Sequence, residues 1–348
     1  VEKNNRRGYG MGKIINYARI YYNWKMGRKT ALGYAPEDIS IELTNTCNFR
    51  CRYCLQSDPG HFKTVSRSNL SPDEARVLIR RLRDGGVKTN VMHWTLDGEP
   101  FINKNINEIS SIAIDHGFRH FIFSTNGYFC THERVKGLPS VTGVTYTLCI
   151  DFCTDRSLFE EIRGTPDSWE RVRLNIERVL KDGMLGHVKI RVTDISSFET
   201  GNGRQPAGSL AQLRSLFPHS DRLTVVSRIF HNATGFVPGI LERKRESKNG
   251  GFITCPHPWA SLVIASNGDV VACSRDLQHK TVLGNLLSED LASVWNGEAY
   301  QRFRRAWLDK VPETIPACRE CDLRFDEGKF TVRHIMKTGI NRLGILKR

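Results

Sequence analysis

The sequence predicts an α/β fold, an open partial (β/α)6 barrel followed by a small C-terminal α+β domain, and three observations carry that prediction. From residue 37 onward, short strand-like runs alternate with helical ones, the order a parallel sheet requires. Several of the runs present one apolar and one polar face. Two groups of cysteines, one early and one late, are spaced as ligands for inorganic centres.

Residues 11–28 place Ile14, Tyr17, Ala18, Tyr21 and Trp24 at helical spacing among basic residues, an amphipathic helix expected to pack against the barrel. The same pattern would also suit peripheral contact with a membrane surface. Candidate strands follow at 39–43, 91–96, 120–125, 144–150, 188–193 and 223–229, with helices near 71–84, 106–116, 168–182 and 209–217. Ser71-Pro72-Asp73-Glu74 is a strong helix opening: a serine N-cap, proline in the first turn, then acids against the positive end of the helix dipole. A doubly wound sheet would give a similar string. Alternation favours the barrel, because Thr145, Thr147, Cys149 and Asp151 share one face of a strand whose other face is Tyr146, Leu148 and Ile150. Ser124 with Asn126, and Lys189 with Arg191 and Thr193, likewise share polar faces, which suits a lumen that holds a polar ligand.

The stretch 201–208 is a loop by composition, and the basic, glycine-containing run at 242–251 marks a boundary. Short strands around Gly268, a helix over about 291–308 and a basic tail complete the chain. The expected division is an N-terminal helical segment at 1–36, the barrel at 37–245, a smaller domain at 246–330 and the tail at 331–348.

Composition narrows the function classes. With 39% hydrophobic and 25% charged residues in 348, the chain can bury a sizeable core and is not of disordered composition. No apolar run approaches the ~18 residues of a membrane span, and the N-terminus lacks a signal-peptide pattern. Ten cysteines without an export signal imply a reducing compartment, so the expected location is cytoplasmic. The net charge of +14 favours an anionic partner: a phosphorylated small molecule, a nucleic acid or a membrane surface.

The early cysteines, Cys47, Cys51 and Cys54, have C-x₃-C-x₂-C spacing directly after the first strand. A structural zinc site wants four ligands. Three thiolates can instead hold three irons of a [4Fe-4S] cube and leave the fourth iron open. The late set, Cys255, Cys273, Cys318 and Cys321, reads C-x₁₂-G-x₄-C followed by C-x₂-C, and four cysteines can saturate a cube or a zinc ion. Cys130, Cys149 and Cys153 remain, and a free cysteine is most often a small buried apolar residue. His93, His231 and His257 read as structural.

Taken together, the Cys47–Cys51–Cys54 loop with Tyr53 before its last cysteine, the turn Asp97-Gly98-Glu99-Pro100 after the second strand, and Ser124-Thr125-Asn126-Gly127 at the end of a later strand resemble the radical S-adenosylmethionine (SAM) superfamily. Its Gly-Gly-Glu-Pro turn has Asp97 in place of the first glycine. The late cysteines, with Leu283-Gly284-Asn285-Leu286 and Val294-Trp295-Asn296-Gly297, resemble the twitch form of the SPASM extension, and no further cysteine follows Cys321. The resemblance implies a TIM-like radical SAM core, SAM as cofactor and two [4Fe-4S] clusters, one SAM-binding on three cysteines and one auxiliary on four. It implies SAM contacts from Tyr53, Gly98, Glu99, Pro100, Ser124, Asn126 and Arg191.

Cys149 and Asp151, near the C-terminal end of a strand where barrel sites gather, are the leading catalytic candidates, with Cys153 as a second thiol. Arg163 joins them because Phe159-Glu160-Glu161-Ile162-Arg163-Gly164 resembles a run common in SPASM-type enzymes. The implied activity is hydrogen abstraction from a polar small molecule, such as a sugar or aminocyclitol, with net dehydrogenation through the auxiliary cluster and a flavodoxin or ferredoxin as electron donor. Epimerisation with a cysteine hydrogen donor and peptide maturation are the alternatives. The 46 residues before Cys47 leave little room for a peptide-recognition domain. A non-catalytic cluster protein that binds nucleic acid is the reading from a different class, and it is disfavoured.

Overall fold

The computed structural model describes residues 18–198, 206–228, 230–231, 236–237 and 255–325. Residues 1–17, the basic boundary run and the C-terminal tail, together with most of the 201–208 loop, lie outside the described residues.

Nine strands form one sheet. They are β1 (Asp38–Ile41), β2 (Val91–Trp94), β3 (His120–Thr125), β4 (Thr145–Phe152), β5 (Val188–Asp194), β6 (Leu223–Ser227), β7 (Ser261–Ile264), β8 (Asp269–Val271) and β9 (Val282–Asn285). The first six are parallel and lie side by side in chain order, from β1 to β6. A doubly wound sheet reverses its strand order part-way. This one does not, so the six strands are a partial barrel.

Several barrel strands keep a buried apolar side and a less buried, more polar one. Along β4, Tyr146, Leu148, Ile150 and Phe152 are buried while Thr145, Thr147, Cys149 and Asp151 are half-buried. Helices are α1 (His61–Thr64), α2 (Pro72–Asp84), α3 (Ile106–Asp115), α4 (His132–Lys136), α5 (Arg156–Arg163), α6 (Ser168–Lys181), α7 (Ser209–Ser215), α8 (His257–Ala260), α9 (Leu291–Trp295) and α10 (Glu298–Leu308). The outer layer is built from faces such as Leu78, Ile79 and Leu82 of α2 and Val172, Ile176 and Val179 of α6, all buried. Aromatic side chains run across the strands beneath it: Trp94 stacks on Phe121, and Phe121 on Tyr146, at 6.2 and 5.4 Å between ring centroids. Ser71 caps α2 in a reciprocal box, its hydroxyl accepting from the Glu74 amide and the Glu74 carboxylate accepting from the Ser71 amide at 2.9 Å.

Three expectations shift. The strand ends retreat: β1 stops at Ile41 and β2 at Trp94, because Glu42 and the residues after Trp94 leave the ladder to build the site. The helix expected over 291–308 divides at Asn296-Gly297, where Gly297 is extended and a Cβ would lie 2.4 Å from the Ser293 carbonyl. The C-terminal strands also continue the barrel sheet: β7 pairs in parallel with β1, and β8 and β9 follow antiparallel.

The amphipathic N-terminal stretch is helical over 18–26 and turns Ile20 and Trp24 inward, leaving Ala18 exposed. Trp24 meets Trp259 at 6.4 Å. Trp259 donates its indole N–H to the Lys29 carbonyl at 2.9 Å, Trp295 to the Tyr34 carbonyl at 2.8 Å, and Arg304 to the Thr30 carbonyl at 2.6 Å. The segment after the helix is therefore stapled to the C-terminal region. No helix among the described residues is long and apolar enough to cross a membrane.

Candidate active site and metal centres

The loop that leaves β1 is held open by polar contacts on both sides. Arg50 and Arg52 donate backbone amides to the carbonyls of Arg163 and Ile162, pinning the loop to the end of α5 at 3.2 and 2.9 Å. Asn45 accepts the Ser68 amide and donates to the Ser66 carbonyl, closing the other side. Between these anchors stand Cys47, Cys51 and Cys54, all free thiols. Burial pushes each above the usual thiol range, Cys47 to about 12. Three thiols on one loop that are costly to ionise alone suit a site where iron replaces the protons.

The second set has the same character. Cys255, Cys318 and Cys321 are buried and Cys273 is half-buried, none is in a disulfide, and burial raises all four, Cys273 to about 12. Cys255, Cys273 and Cys318 are each pushed further by a charge on another member of the set, so the four share one electrostatic environment. Gly268, at φ +86°, makes the turn between β7 and β8 that returns the chain toward Cys273, and a Cβ there would meet Leu287 at 2.6 Å. No three His, Cys, Asp or Glu side chains among the described residues are gathered closely enough to hold a single metal ion.

The turn after β2 reaches the first cysteine loop. Gly98 has φ +68°, and a Cβ would lie 2.2 Å from the Thr44 carbonyl, so glycine is required on both counts. Glu99 is buried, and its carboxylate is already committed: Oε1 accepts from the Thr125 hydroxyl at 2.7 Å and the Phe101 amide at 3.0 Å, and Oε2 from the Asn126 amide at 2.6 Å. Its pKa is raised because burial outweighs these three bonds. Glu99 thus ties the Gly98-Glu99-Pro100 turn to the end of β3. Asn126 extends the tie, donating its side-chain amide to Asn48 Oδ1 at 2.8 Å and pointing at the Cys47 sulfur at 3.7 Å.

Asp97, the departure from a glycine, turns away from that tie. Its Oδ2 accepts from Gln56 at 2.8 Å and contacts His61 Nε2 at 2.6 Å, while its amide donates to Glu42 Oε1 at 3.0 Å. Glu42 Oε2 in turn accepts the Ser266 amide and hydroxyl. One buried polar network thereby joins the cysteine loop, the ends of β1 and β2, and the turn after β7.

Across the lumen the sheet register lines up Ser124, Cys149, Arg191 and Thr224 on neighbouring strands. Cys149 faces Arg191, which lowers its pKa less than burial raises it, leaving the thiol at about 11. Two residues on, Asp151 accepts the Tyr53 hydroxyl at 2.8 Å and both carboxylate oxygens accept from Arg228, at 2.9 and 3.0 Å. Arg163 donates to the Tyr53 hydroxyl and lies 3.6 Å from Asp151. The Tyr53 ring packs against Phe198 and Phe230 at 5.6 and 5.3 Å. Burial raises Tyr53 well above the usual phenol range, so its hydroxyl remains a donor.

The structure therefore brings Tyr53, Asp151 and Arg163 together, sets Cys149, Ser124 and Arg191 in one lumenal row, and separates Cys153. That cysteine follows the end of β4, is fully buried, and directs its thiol to the Asp155 carbonyl at 3.4 Å. Cys130 is also buried and contacts the Thr125 hydroxyl. Of the histidines, His257 meets Ser261 Oγ at 3.0 Å and is half-buried. Arg228, Thr125, Asn48 and the Glu42–Asp97–His61–Gln56 network were not singled out in the sequence. Thr125 lies inside a noted motif and Arg228 at the end of an expected strand, but no local pattern pairs Arg228 with a residue 77 positions away.

A partial barrel whose strand ends carry a three-cysteine loop, braced by a buried glutamate turn and joined through its sheet to a four-cysteine extension, has the arrangement that an iron–sulfur protein of the SAM-dependent kind requires. The chain matches the radical SAM superfamily over residues 41–195 and an iron–sulfur cluster-binding SPASM domain over residues 255–322. It carries a radical SAM domain followed by a SPASM-type C-terminal region.

Among curated relatives, a GTP 3′,8-cyclase of Campylobacter fetus is 34% identical over 101 residues, 28% of this chain and 29% of the cyclase. The chain thus spans less than a third of that enzyme's length. The mycofactocin maturase MftC of Mycobacterium tuberculosis is 25% identical over 327 residues, covering 82% of this chain and 76% of the maturase. In fold, the chain is similar to anSMEcpe, whose structure has bound AdoMet, with a TM-score of 0.55, 13% identity, and coverage of 89% of this chain and 100% of that one.

Proposed function

We propose that the protein is a radical SAM oxidoreductase that removes two hydrogens from a polar small molecule, a sugar or aminocyclitol in kind. The observation that carries the reading is the pairing of a three-cysteine loop, one ligand short of saturating a cube, with a four-cysteine set that saturates one. Bound together, SAM and the first cluster would supply a 5′-deoxyadenosyl radical that takes one hydrogen atom, the substrate then losing a proton to solvent and an electron to the auxiliary cluster, while a flavodoxin or ferredoxin delivers the starting electron.

The chain's own residues hold and orient. Cys47, Cys51 and Cys54 are the proposed ligands of the SAM-binding cluster, and Cys255, Cys273, Cys318 and Cys321 those of the auxiliary one. Gly98, Pro100 and Asn126 shape the SAM side of the loop, with Glu99 fixing their spacing from behind. Ser124 and Arg191 offer a hydroxyl and a cation to carboxylate or hydroxyl groups in the lumen. Asp151, already paired with Arg228 and Tyr53, holds the far wall rigid.

A peptide substrate is the second reading, favoured by the match to mycofactocin maturase over most of both chains. In either case the expected location is a reducing, cytoplasmic compartment, in keeping with ten free cysteines. The test is substrate-dependent formation of 5′-deoxyadenosine by the anaerobically reconstituted protein, screened over sugars, aminocyclitols and peptides. A product lighter by two hydrogens supports dehydrogenation. Solvent deuterium at one carbon with no mass loss overturns it in favour of epimerisation, and turnover with peptides alone overturns the small-molecule assignment.

A further inference from the structure

The second cysteine set has a charged pair built into it. Arg275 Nη1 stands 3.0 Å from Asp322 Oδ1, with the Asp322 side chain fully buried and that of Arg275 21% exposed. Each belongs to a cysteine: Arg275 comes two residues after Cys273, and Asp322 directly follows Cys321. The guanidinium is also within hydrogen-bonding reach of the Cys321 side chain, and its charge acts on Cys255 and Cys273 as well. One cation thus acts on three of the four cysteines, and a buried carboxylate fixes its orientation. A guanidinium in this position keeps its charge throughout the accessible pH range.

We propose that Arg275 and Asp322 act as an opposed pair that sets the reduction potential of the auxiliary cluster, Arg275 raising it and Asp322 limiting the rise. The inference rests on the reading that Cys255, Cys273, Cys318 and Cys321 hold a [4Fe-4S] cluster. Four thiolates make such a cluster anionic, and reduction adds one further negative charge. A cation within hydrogen-bonding range of sulfur stabilises the reduced form more than the oxidised one, and a buried anion does the reverse. The low dielectric around these buried side chains strengthens both effects. Neither residue touches the substrate; both work through the cluster, Arg275 favouring its acceptance of an electron and Asp322 opposing it.

The test is an EPR-monitored redox titration of the reconstituted full-length protein, carried out on the unaltered enzyme and in the C47A/C51A/C54A background, where the auxiliary cluster is read alone. Arg275→Gln should move its midpoint to more negative potential by at least a tenfold change in the reduced-to-oxidised ratio, about 59 mV for one electron. Arg275→Lys should recover part of that shift. Asp322→Asn should move the midpoint the opposite way. A change that merely loosened the fold would not produce shifts of opposite sign. Unchanged midpoints, or shifts in the same direction for both charge removals, overturn the proposal. Should Arg275→Gln fail to retain iron, the Asp322→Asn shift decides alone. Absence of any EPR-active cluster in the C47A/C51A/C54A background overturns the auxiliary-cluster reading itself, an outcome distinct from a cluster that is present but unmoved.

Discussion

The hydroxyl of Tyr53 donates to Asp151 Oδ2 at 2.8 Å, tying the residue before the last cysteine of the loop to the C-terminal end of β4. The tie fixes where the cysteine loop stands relative to the lumen. Asp151 also neutralises two guanidiniums, Arg228 through both its oxygens and Arg163 at 3.6 Å. Asp151→Asn removes the one carboxylate from this group and leaves two mostly buried cations facing each other. Breaking such a buried pair from one side costs about 3–5 kcal/mol. Tyr53→Phe removes two hydrogen bonds, the one donated to Asp151 and the one accepted from Arg163, while the Asp151–Arg228 pair stays, at about 2 kcal/mol. Urea denaturation of the apoprotein should rank them in that order, with Asp151→Asn the larger. Equal losses would mean that the hydroxyl, not the charge, holds the wall.

Iron analysis distinguishes the two cysteine sets. The reconstituted protein should carry about eight irons per chain, two cubes of four. Replacing Cys47, Cys51 and Cys54 by Ala should leave about four, as should replacing Cys255, Cys273, Cys318 and Cys321. Zinc retained by the second set, with four irons in the unaltered protein, would overturn the auxiliary-cluster assignment.

Cys149 gives a prediction in pH. Burial raises its thiol to about 11 against the pull of Arg191, so it is protonated at neutral pH. The thiolate fraction then grows about tenfold per pH unit below that value. Iodoacetamide labelling of the Cys149 peptide in the apoprotein, followed by mass spectrometry, should be slow at pH 8 and steepen until about pH 11. Arg191→Met removes the cation that lowers the thiol and should push the steep region higher. A thiol that labels fully at pH 8 would show that Arg191 outweighs burial.

Much of this arrangement was legible in the sequence, and where it was not the reasons are physical. Period-two alternation exposed the lumenal face of β4, because a strand's side chains must alternate, and the structure places Thr145, Thr147, Cys149 and Asp151 on it. Cysteine spacing is covalent and needs no tertiary information, so the two sets could be found directly. Alternation could not separate Cys153 from Cys149, since the strand ends at Phe152 and the rule ends with it. Arg228 and His61 were silent for a different reason. Each acquires meaning from a partner, Asp151 or Asp97, that only the fold brings within 3 Å. The run at 159–164 was legible only as a motif, although most of it belongs to the helix Arg156–Arg163, which Asp155 caps by accepting the Leu158 amide.

Glu99 is the residue whose role the geometry alters most. Its carboxylate accepts three hydrogen bonds, two at Oε1 and one at Oε2, all from groups of the turn itself or the end of β3. Glu99→Gln preserves size and an acceptor at one position. If the amide oxygen takes the Oε1 site, Thr125 and Phe101 stay satisfied, but the new –NH₂ faces the Asn126 N–H, donor against donor. Flipping the amide saves Asn126 and sacrifices the other two, so no rotamer satisfies all three. The cost of one such buried mismatch is about 1–3 kcal/mol. Because Asn126 also reaches Asn48 and the Cys47 sulfur, the mismatch should displace the cysteine loop as well as lower stability. SAM affinity of the reconstituted Glu99→Gln protein should therefore fall at least tenfold while its iron content stays near that of the unaltered protein. Glu99→Gln with unchanged SAM affinity and a normal melting temperature would show that the brace does not set the position of the loop.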